Sequence, residues 1–415
     1  MNTPQRPKVP AGFGAALRVQ FPTLQQQVNG RRLVYLDSAA TAQKPQCVID
    51  TISSFYHEDN ANIHRAVYEL GERATQRYEN AREIVAKFIN ARESKEIIFV
   101  RGATEGINVI ASTLGRKNIT AGDEVLVTHL EHHANIVPWQ LLCESVGATL
   151  KVVPVNDRGD LALDQLERLV TDQTKLIAFT HISNAIGTVN DAQAICDFAR
   201  QRGIPTLVDG AQSAAHGPID VQALGCDFFV FSGHKLYGPT GIGVLYGRAE
   251  LLRTLPPYQG GGDMIDKVSF SGTTFADIPS RFEAGTPNIA GAVGLGAALQ
   301  FMSTLDLNQL KQYEAELVEY GAQRLSEIPE LTLVGSPEDR ASVLSFVIEG
   351  THPHDVGTLL SEFGVAVRVG HHCAQPILER FGVPATTRAS VAAYTDPEDI
   401  DILVDALKRV VKMLR

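Results

Sequence analysis

Two kinds of hydrophobic pattern alternate along the chain. Short apolar runs rich in Val, Ile, Leu and Phe are separated by stretches whose apolar residues return every three or four positions. The runs at 96–100, 124–128, 149–153, 175–180, 205–208, 227–231 and 242–246 are short and mostly apolar. They read as buried strands, and helices fit most of the gaps between them. Residues 68–89 have helical periodicity with charges on the remaining face, and a short strand at 33–36 precedes them. The alternation predicts an α/β fold whose large domain carries a mostly parallel seven-stranded sheet, covered on both faces. Ligands of such sheets bind beyond the carboxyl ends of the strands.

The pattern changes after about residue 295. A helical stretch at 307–325 precedes a strand at 343–348, a helix at 355–363, a strand at 365–369 and a last helix at 397–413. This predicts a smaller α/β C-terminal domain over 296–415, after a large domain over 31–295, with residues 1–30 as an arm packed on the small domain. A chain of 415 residues exceeds what one core normally serves.

Composition narrows the function. The net charge of −10 argues against a nucleic-acid surface. No apolar run reaches the ~18 residues of a membrane span. Met1 to Pro10 is polar and lacks the apolar run of a signal peptide. The five cysteines are scattered, odd in number and free of CxxC pairs, which fits a reducing compartment and gives a zinc site no support. The expectation is a cytoplasmic protein with no metal, no membrane and no nucleic acid as partner.

Chemistry gathers at the strand ends. The run 228–231 stops at Ser232-Gly-His-Lys235 before a Gly/Pro turn, and another run stops at Asp209, 26 residues before Lys235. An acid and a lysine at neighbouring strand ends can face one pocket. Pyridoxal phosphate chemistry requires this pair: a lysine for the cofactor's carbonyl carbon and an acid for its ring nitrogen. A surface lysine beside a helix-capping aspartate would leave the same trace. The run ending at Val100 leads into Arg101-Gly-Ala-Thr-Glu105, a small-residue turn opening a helix. Its free N–H groups and the Thr104 hydroxyl suit a phosphate, or simply a helix cap. No Walker A loop occurs, and the glycines at 238–243 have the wrong spacing for a dinucleotide fingerprint.

Three more stretches carry polar groups where a planar cofactor and its substrate would lie. His129 to Asn135 offers an imidazole to stack on a ring, and spacing does not choose between His132 and His133. Asn184 ends another strand. Arg368-Val-Gly-His-His-Cys-Ala-Gln-Pro376 sets Cys373 beside two histidines and an arginine, surroundings that favour thiolate. Arg388, 15 residues on, has the fork to clamp a carboxylate.

These stretches, with Tyr35-Leu-Asp-Ser-Ala-Ala-Thr41, Asn62-Ile-His64, Glu131-His-His-Ala-Asn135, Val208-Asp-Gly-Ala-Gln212, Ser232-Gly-His-Lys-Leu-Tyr-Gly-Pro239 and Arg281-Phe-Glu-Ala-Gly-Thr-Pro-Asn288, closely resemble the group II cysteine desulfurases, of the SufS-like type that serves SUF iron–sulfur assembly. The match runs in order from about residue 18 to the end. It implies a fold-type I pyridoxal 5'-phosphate transferase acting on L-cysteine, usually a homodimer. Lys235 would be the Schiff-base lysine, Asp209 the partner of the pyridine nitrogen, and Gln212 a contact of the ring hydroxyl. His132 would stack on the ring. Ala103, Thr104, Ser232 and His234 would hold the phosphate, with Thr286 reaching over from the partner subunit. Asn184, Arg388, Arg368, His64 and Ala39 would surround the substrate, and Cys373 would accept the sulfur. A SufE-like or SufU-like acceptor would dock near Cys373. Three other readings stay open: a selenocysteine lyase taking L-selenocysteine in the same pocket, an aminotransferase-type or kynureninase-like relative that needs no cysteine, and a non-catalytic scaffold.

Overall fold

The structure, a computed structural model, describes residues 4–414. Strands β1 (Ile97–Val100), β2 (Glu124–Thr128), β3 (Thr149–Val153), β4 (Thr174–Thr180), β5 (Thr206–Asp209), β6 (Phe228–Ser232) and β7 (Gly243–Gly247) form one seven-stranded sheet in the order β1-β7-β6-β5-β4-β2-β3. Strands β2 to β6 are parallel, and β7 runs antiparallel to both β1 and β6.

The sheet separates two cores because successive side chains point to opposite faces. Phe229, Phe231, Val208 and Phe179 pack with helices α1 (Glu69–Phe88) and α3 (Ile289–Ser303). Phe228, Val230, Leu207 and Ala178 pack with α2 (Ala103–Ile110) and Trp139. Both faces are dry, so the strands are apolar throughout and legible as runs. The exception is β3, at the sheet edge, whose residues are mostly part-exposed.

Register then places the strand ends. Thr180 is level with Asp209, and Asp209 with Val230 on β6. The carboxyl ends of β4, β5 and β6 therefore open on one side, with Lys235 in the short turn Gly233–Lys235 after β6.

Helix α4 (Leu307–Leu325) leads to a second, antiparallel sheet of β8 (Leu331–Leu333), β9 (Val343–Ile348), β10 (Arg368–Gly370) and β11 (Thr386–Ser390), in the order β8-β9-β11-β10. A third core lies between this sheet, α4, the helix Pro353–Glu362 and α5 (Pro397–Leu414). The run expected as one strand over 365–369 divides. Val365–Ala366 pairs in parallel with Val34–Tyr35, and Arg368–Gly370 joins β11. The N-terminal segment touches both sheets' surroundings: Phe21 packs on Tyr237 and Phe301 as well as on Tyr394. The hairpin Ile265–Ser269 with Gly272–Phe275 is exposed along its length and has no apolar period to announce it.

Candidate active site

Between the two sheets lies a cavity of about 340 Å³. Its large-sheet wall presents Ala103, Thr104, His132, Asn184, Asp209, Gln212, Ser232, His234 and Lys235. The other wall presents Arg368, His372, Cys373 and Arg388, with Ala39 from the N-terminal side. All the residues expected at the site converge here except two. His64 is exposed, and its Nε2 lies 2.9 Å from Glu79. Thr286 is exposed and lines a separate cleft with Tyr258 and Glu283.

Asp209 is buried at the end of β5. Its Oδ1 accepts the Ala211 N–H at 2.9 Å. Burial raises its carboxyl above the usual range, against the pull of that N–H and of Lys235. Lys235 moves the other way: burial lowers its ammonium, the Asp209 and Cys373 side chains oppose this, and Arg388 adds to it. The lysine turn is clamped from behind. The His234 carbonyl accepts from Ala42 N (3.0 Å), Thr41 Oγ1 (3.1 Å) and Lys44 Nζ (2.9 Å).

The loop after β2 resolves the choice that spacing left open: His132 lines the cavity and His133 does not. Burial, with Lys235 next in weight, pushes the His132 imidazole down to about 3, so its ring is neutral. Its Nδ1 accepts the Ala134 N–H at 3.0 Å, which leaves the ring proton on Nε2. His133 is turned to the cysteine loop, where its N–H donates to the Cys373 carbonyl at 2.7 Å.

The cysteine loop is backbone-strained. Gly370 has φ 115°, and His372 and Cys373 both have φ 54°. Two consecutive side-chain-bearing residues in the left-handed region cost about 1–3 kcal/mol each, so the surroundings must hold them. His372 Nε2 lies 2.7 Å from Thr386 Oγ1, and the His372 carbonyl accepts from Asn184 Nδ2 at 2.6 Å. The result is an exposed Cys373 thiol on the cavity rim.

Arg388 is buried on β11 and donates to the Asn184 carbonyl at 2.7 Å. Its Nε is buried without a partner. Burial brings its pKa down to about 10, with Asp37 opposing. Asp37, which lies 3.6 Å from Arg388 and 2.7 Å from Arg368, holds both guanidinium groups and was not anticipated. Its one signal was its place at the end of the short 33–36 run. Glu131, Asn135 and Trp139 were also missed as a set, although the i, i+4 spacing of the three was readable.

These groups fit pyridoxal phosphate. The start of α2 offers N–H groups without intrahelical partners, beside the Thr104 and Ser232 hydroxyls. The backbones that form this cradle pack too closely for side chains: a Cβ on Gly243 would lie 2.6 Å from the Gly102 Cα, and one on Gly102 would lie 3.1 Å from Ser232 Oγ. A neutral imidazole, a buried acid and a lysine with a lowered pKa line the same cavity.

The fold and this donor set define a class, the fold-type I pyridoxal phosphate enzymes. The aminotransferase class-V family profile matches residues 34–403, and the chain belongs to that family. Its curated relatives include a cysteine desulfurase of Shigella sonnei, 51% identical over 399 residues that make up 96% of this chain and 98% of the relative. A cysteine desulfurase of Synechococcus elongatus is 52% identical over 394 residues, and there the chain spans only 63% of the relative's length. Among solved structures, the Escherichia coli cysteine desulfurase CsdA, in an S-sulfonic acid form, superposes with TM-score 0.90 at 43% identity, covering 97% of this chain and 99% of that one. The apo cysteine desulfurase of Thermococcus onnurineus gives 0.89 at 36%, covering 95% and 98%.

Proposed function

We propose that the chain is an L-cysteine desulfurase that moves the substrate's sulfur onto Cys373 and releases L-alanine. The observation that carries this is the placement of Lys235, Asp209 and Cys373 on one cavity. When bound, pyridoxal phosphate supplies an electrophilic carbon for the substrate amine and a ring that accepts electrons. Lys235 would hold the cofactor, Asp209 would face its ring nitrogen, His132 would cover the ring, and Thr104, Ser232, His234 and the α2 start would take the phosphate.

The chain's own groups do the rest. Arg388, with its unpartnered Nε, binds the substrate carboxylate, and Asn184 and Arg368 close the pocket. Lys235, less basic than a free lysine, takes the Cα proton. The Cys373 thiolate attacks the substrate sulfur. An S–S bond forms, the C–S bond breaks, and its electron pair stays with carbon, which is protonated to a methyl group. Sulfur is oxidised to the persulfide level as carbon is reduced, so no outside oxidant is needed.

The exposed thiol supports onward transfer to a sulfur-acceptor protein, and we assign a SufE-like or SufU-like acceptor and a SUF-type assembly role. We also assign a homodimer in which Thr286 and His64 reach the partner's cavity. Both are exposed, and His64 is followed in the chain by outward-facing Val67 and Tyr68, which favours this. No single helix among the described residues is long and apolar enough to cross a membrane, and we place the enzyme in the cytoplasm.

The test is alanine formation from L-cysteine with a thiol reductant, on the wild type and on Cys373→Ala. Alanine from the wild type and very little from the variant is expected. Equal alanine from both would remove Cys373 from the reaction.

A further inference from the structure

Glu131 is fully buried one residue before His132, and it does not face the cavity. Apart from the Thr128 hydroxyl, its oxygens meet groups that only donate. Oε1 accepts the Thr180 N–H at 3.0 Å, and Oε2 accepts from Asn135 Nδ2 at 2.6 Å. The Asn135 amide is itself oriented, because its Oδ1 accepts the Trp139 Nε1–H at 2.9 Å and an indole has no other role. The Thr128 hydroxyl, 2.5 Å from Oε1, is the one neighbour able to give or take a proton. Burial pushes the Glu131 carboxyl up to about 8, against its bonds to Thr128, Asn135 and Thr180. Burial thus favours its uncharged form at neutral pH.

The Glu131–Asn135 bond closes a ring around His132, His133 and Ala134. Inside the ring, His132 Nδ1 holds the Ala134 N–H. Outward from it, His133 binds the Cys373 carbonyl, and its Nε2 accepts the Gln375 N–H at 3.1 Å. The Thr180 bond fixes the ring to β4, level with Asp209 on β5.

We infer that Glu131, with Asn135 and Trp139, is a positioning residue for both halves of the site: it sets the His132 ring over the cofactor and sets His133 on the backbone of Cys373. The first half rests on the proposal that His132 covers the cofactor. The polarity of the network makes the inference testable, since every hydrogen in it has a fixed direction except the one shared with Thr128.

The experiment compares holoenzymes of the wild type, Glu131→Gln, Glu131→Gln with Asn135→Asp, and His132→Ala. In Glu131→Gln an NH2 group must face either Thr180 N–H or Asn135 Nδ2, donor against donor. The visible circular dichroism of the bound cofactor should change, the alkylation rate of Cys373 (read on its own peptide by mass spectrometry) should change, and kcat should fall by roughly tenfold to a hundredfold, the range for a displaced reacting group. KM for L-cysteine should move less. The double variant reverses the polarity. Its side-chain amide at position 131 donates to the new carboxylate at position 135, and that carboxylate still accepts from Trp139. The amide oxygen at position 131 still accepts from Thr180. Both signatures should return toward the wild type, whereas a mere packing role predicts that the double variant is at least as impaired as the single one.

Wild-type dichroism and alkylation in Glu131→Gln would overturn the inference, as would a double variant with no recovery. If Glu131→Gln does not fold, a folded double variant with native signatures supports the inference and an unfolded or altered one overturns it. Unchanged dichroism in His132→Ala would place the failure in the assignment of His132 and overturn the first half, leaving the alkylation rate to decide the second.

Discussion

The two walls of the cavity are built on opposite principles. The large-sheet wall sets its groups at the ends of strands buried on both faces, and ties the loops behind them into closed hydrogen-bond sets: Glu131 with Asn135 and Thr180, and the His234 carbonyl with three donors. The cysteine wall hangs a short loop from β10, through three residues of positive φ, and leaves the thiol exposed. Groups that must hold a cofactor need fixed geometry. A sulfur carrier needs to be reached from both sides, by substrate within and by an acceptor without. The contrast teaches that the chemistry is divided: the rigid wall would prepare the carbon, and the accessible wall would take the sulfur away.

The largest effect expected is that of removing the rigid wall's lysine. Lys235→Ala should lower alanine formation from L-cysteine by at least ~10³-fold, since a positioned acid or base alone contributes about 10²–10⁴. The cofactor's visible spectrum should change with it. Unchanged turnover would end the division of labour at its first step.

Cys373→Ala should come next. Turnover should fall by ~10²-fold or more, while the spectrum of the bound cofactor stays that of the wild type, because the thiol belongs to the other wall. If the spectrum changes as much as in Lys235→Ala, the walls are not separable.

Gly370→Ala sharpens the comparison at smaller cost. Nothing lies within 4 Å of a Cβ built at Gly370, so the penalty comes only from φ 115°. That penalty is about 1–3 kcal/mol and falls on the cysteine loop. Persulfide formation should slow by roughly tenfold, the rate equivalent of about 1.4 kcal/mol, with cofactor affinity unchanged. A loss of cofactor affinity equal to the loss of rate would count against a loop that moves independently.

The walls also differ in how far their sequences announce them. Asp209 and Lys235 were legible because a dry strand is an apolar run and its end is where the run stops. Strand β11, which carries Arg388, left no such trace. Its sequence Thr-Thr-Arg-Ala-Ser is polar yet wholly buried, and three of its four polar side chains have a partner outside the strand. Thr386 faces His372, Arg388 faces Asn184 and Asp37, and the Ser390 hydroxyl accepts the Ala39 N–H at 2.9 Å. Polarity at these positions signals a surface unless the partners are known, and the partners are set by tertiary structure. The choice of His132 over His133 was hidden for a related reason: it depends on how the loop turns after β2, which the buried Glu131 network decides.

The smallest effect expected lies at the root of the cysteine loop. His372 is buried, and burial, with Arg388 next, pushes its imidazole down to about 2, far below the ~6.5 of a free histidine. The folded-state pKa is depressed, so the associated stability is present above about pH 6.5 and is lost as pH falls toward the folded value, because only the unfolded chain takes up the proton in between. One such group contributes a slope of up to about 1.4 kcal/mol per pH unit. His372→Asn removes the titration and keeps a residue that tolerates φ near 54°, as asparagine does in the left-handed region. The lost bond to Thr386 should make this variant less stable at pH 7.5. Urea midpoints taken stepwise to pH 4.5 should show the gap from the wild type narrowing, as the wild type alone loses the His372 share. A gap that stays constant would mean that His372 takes up its proton in the folded chain, and that the accessible wall is wet down to its anchor.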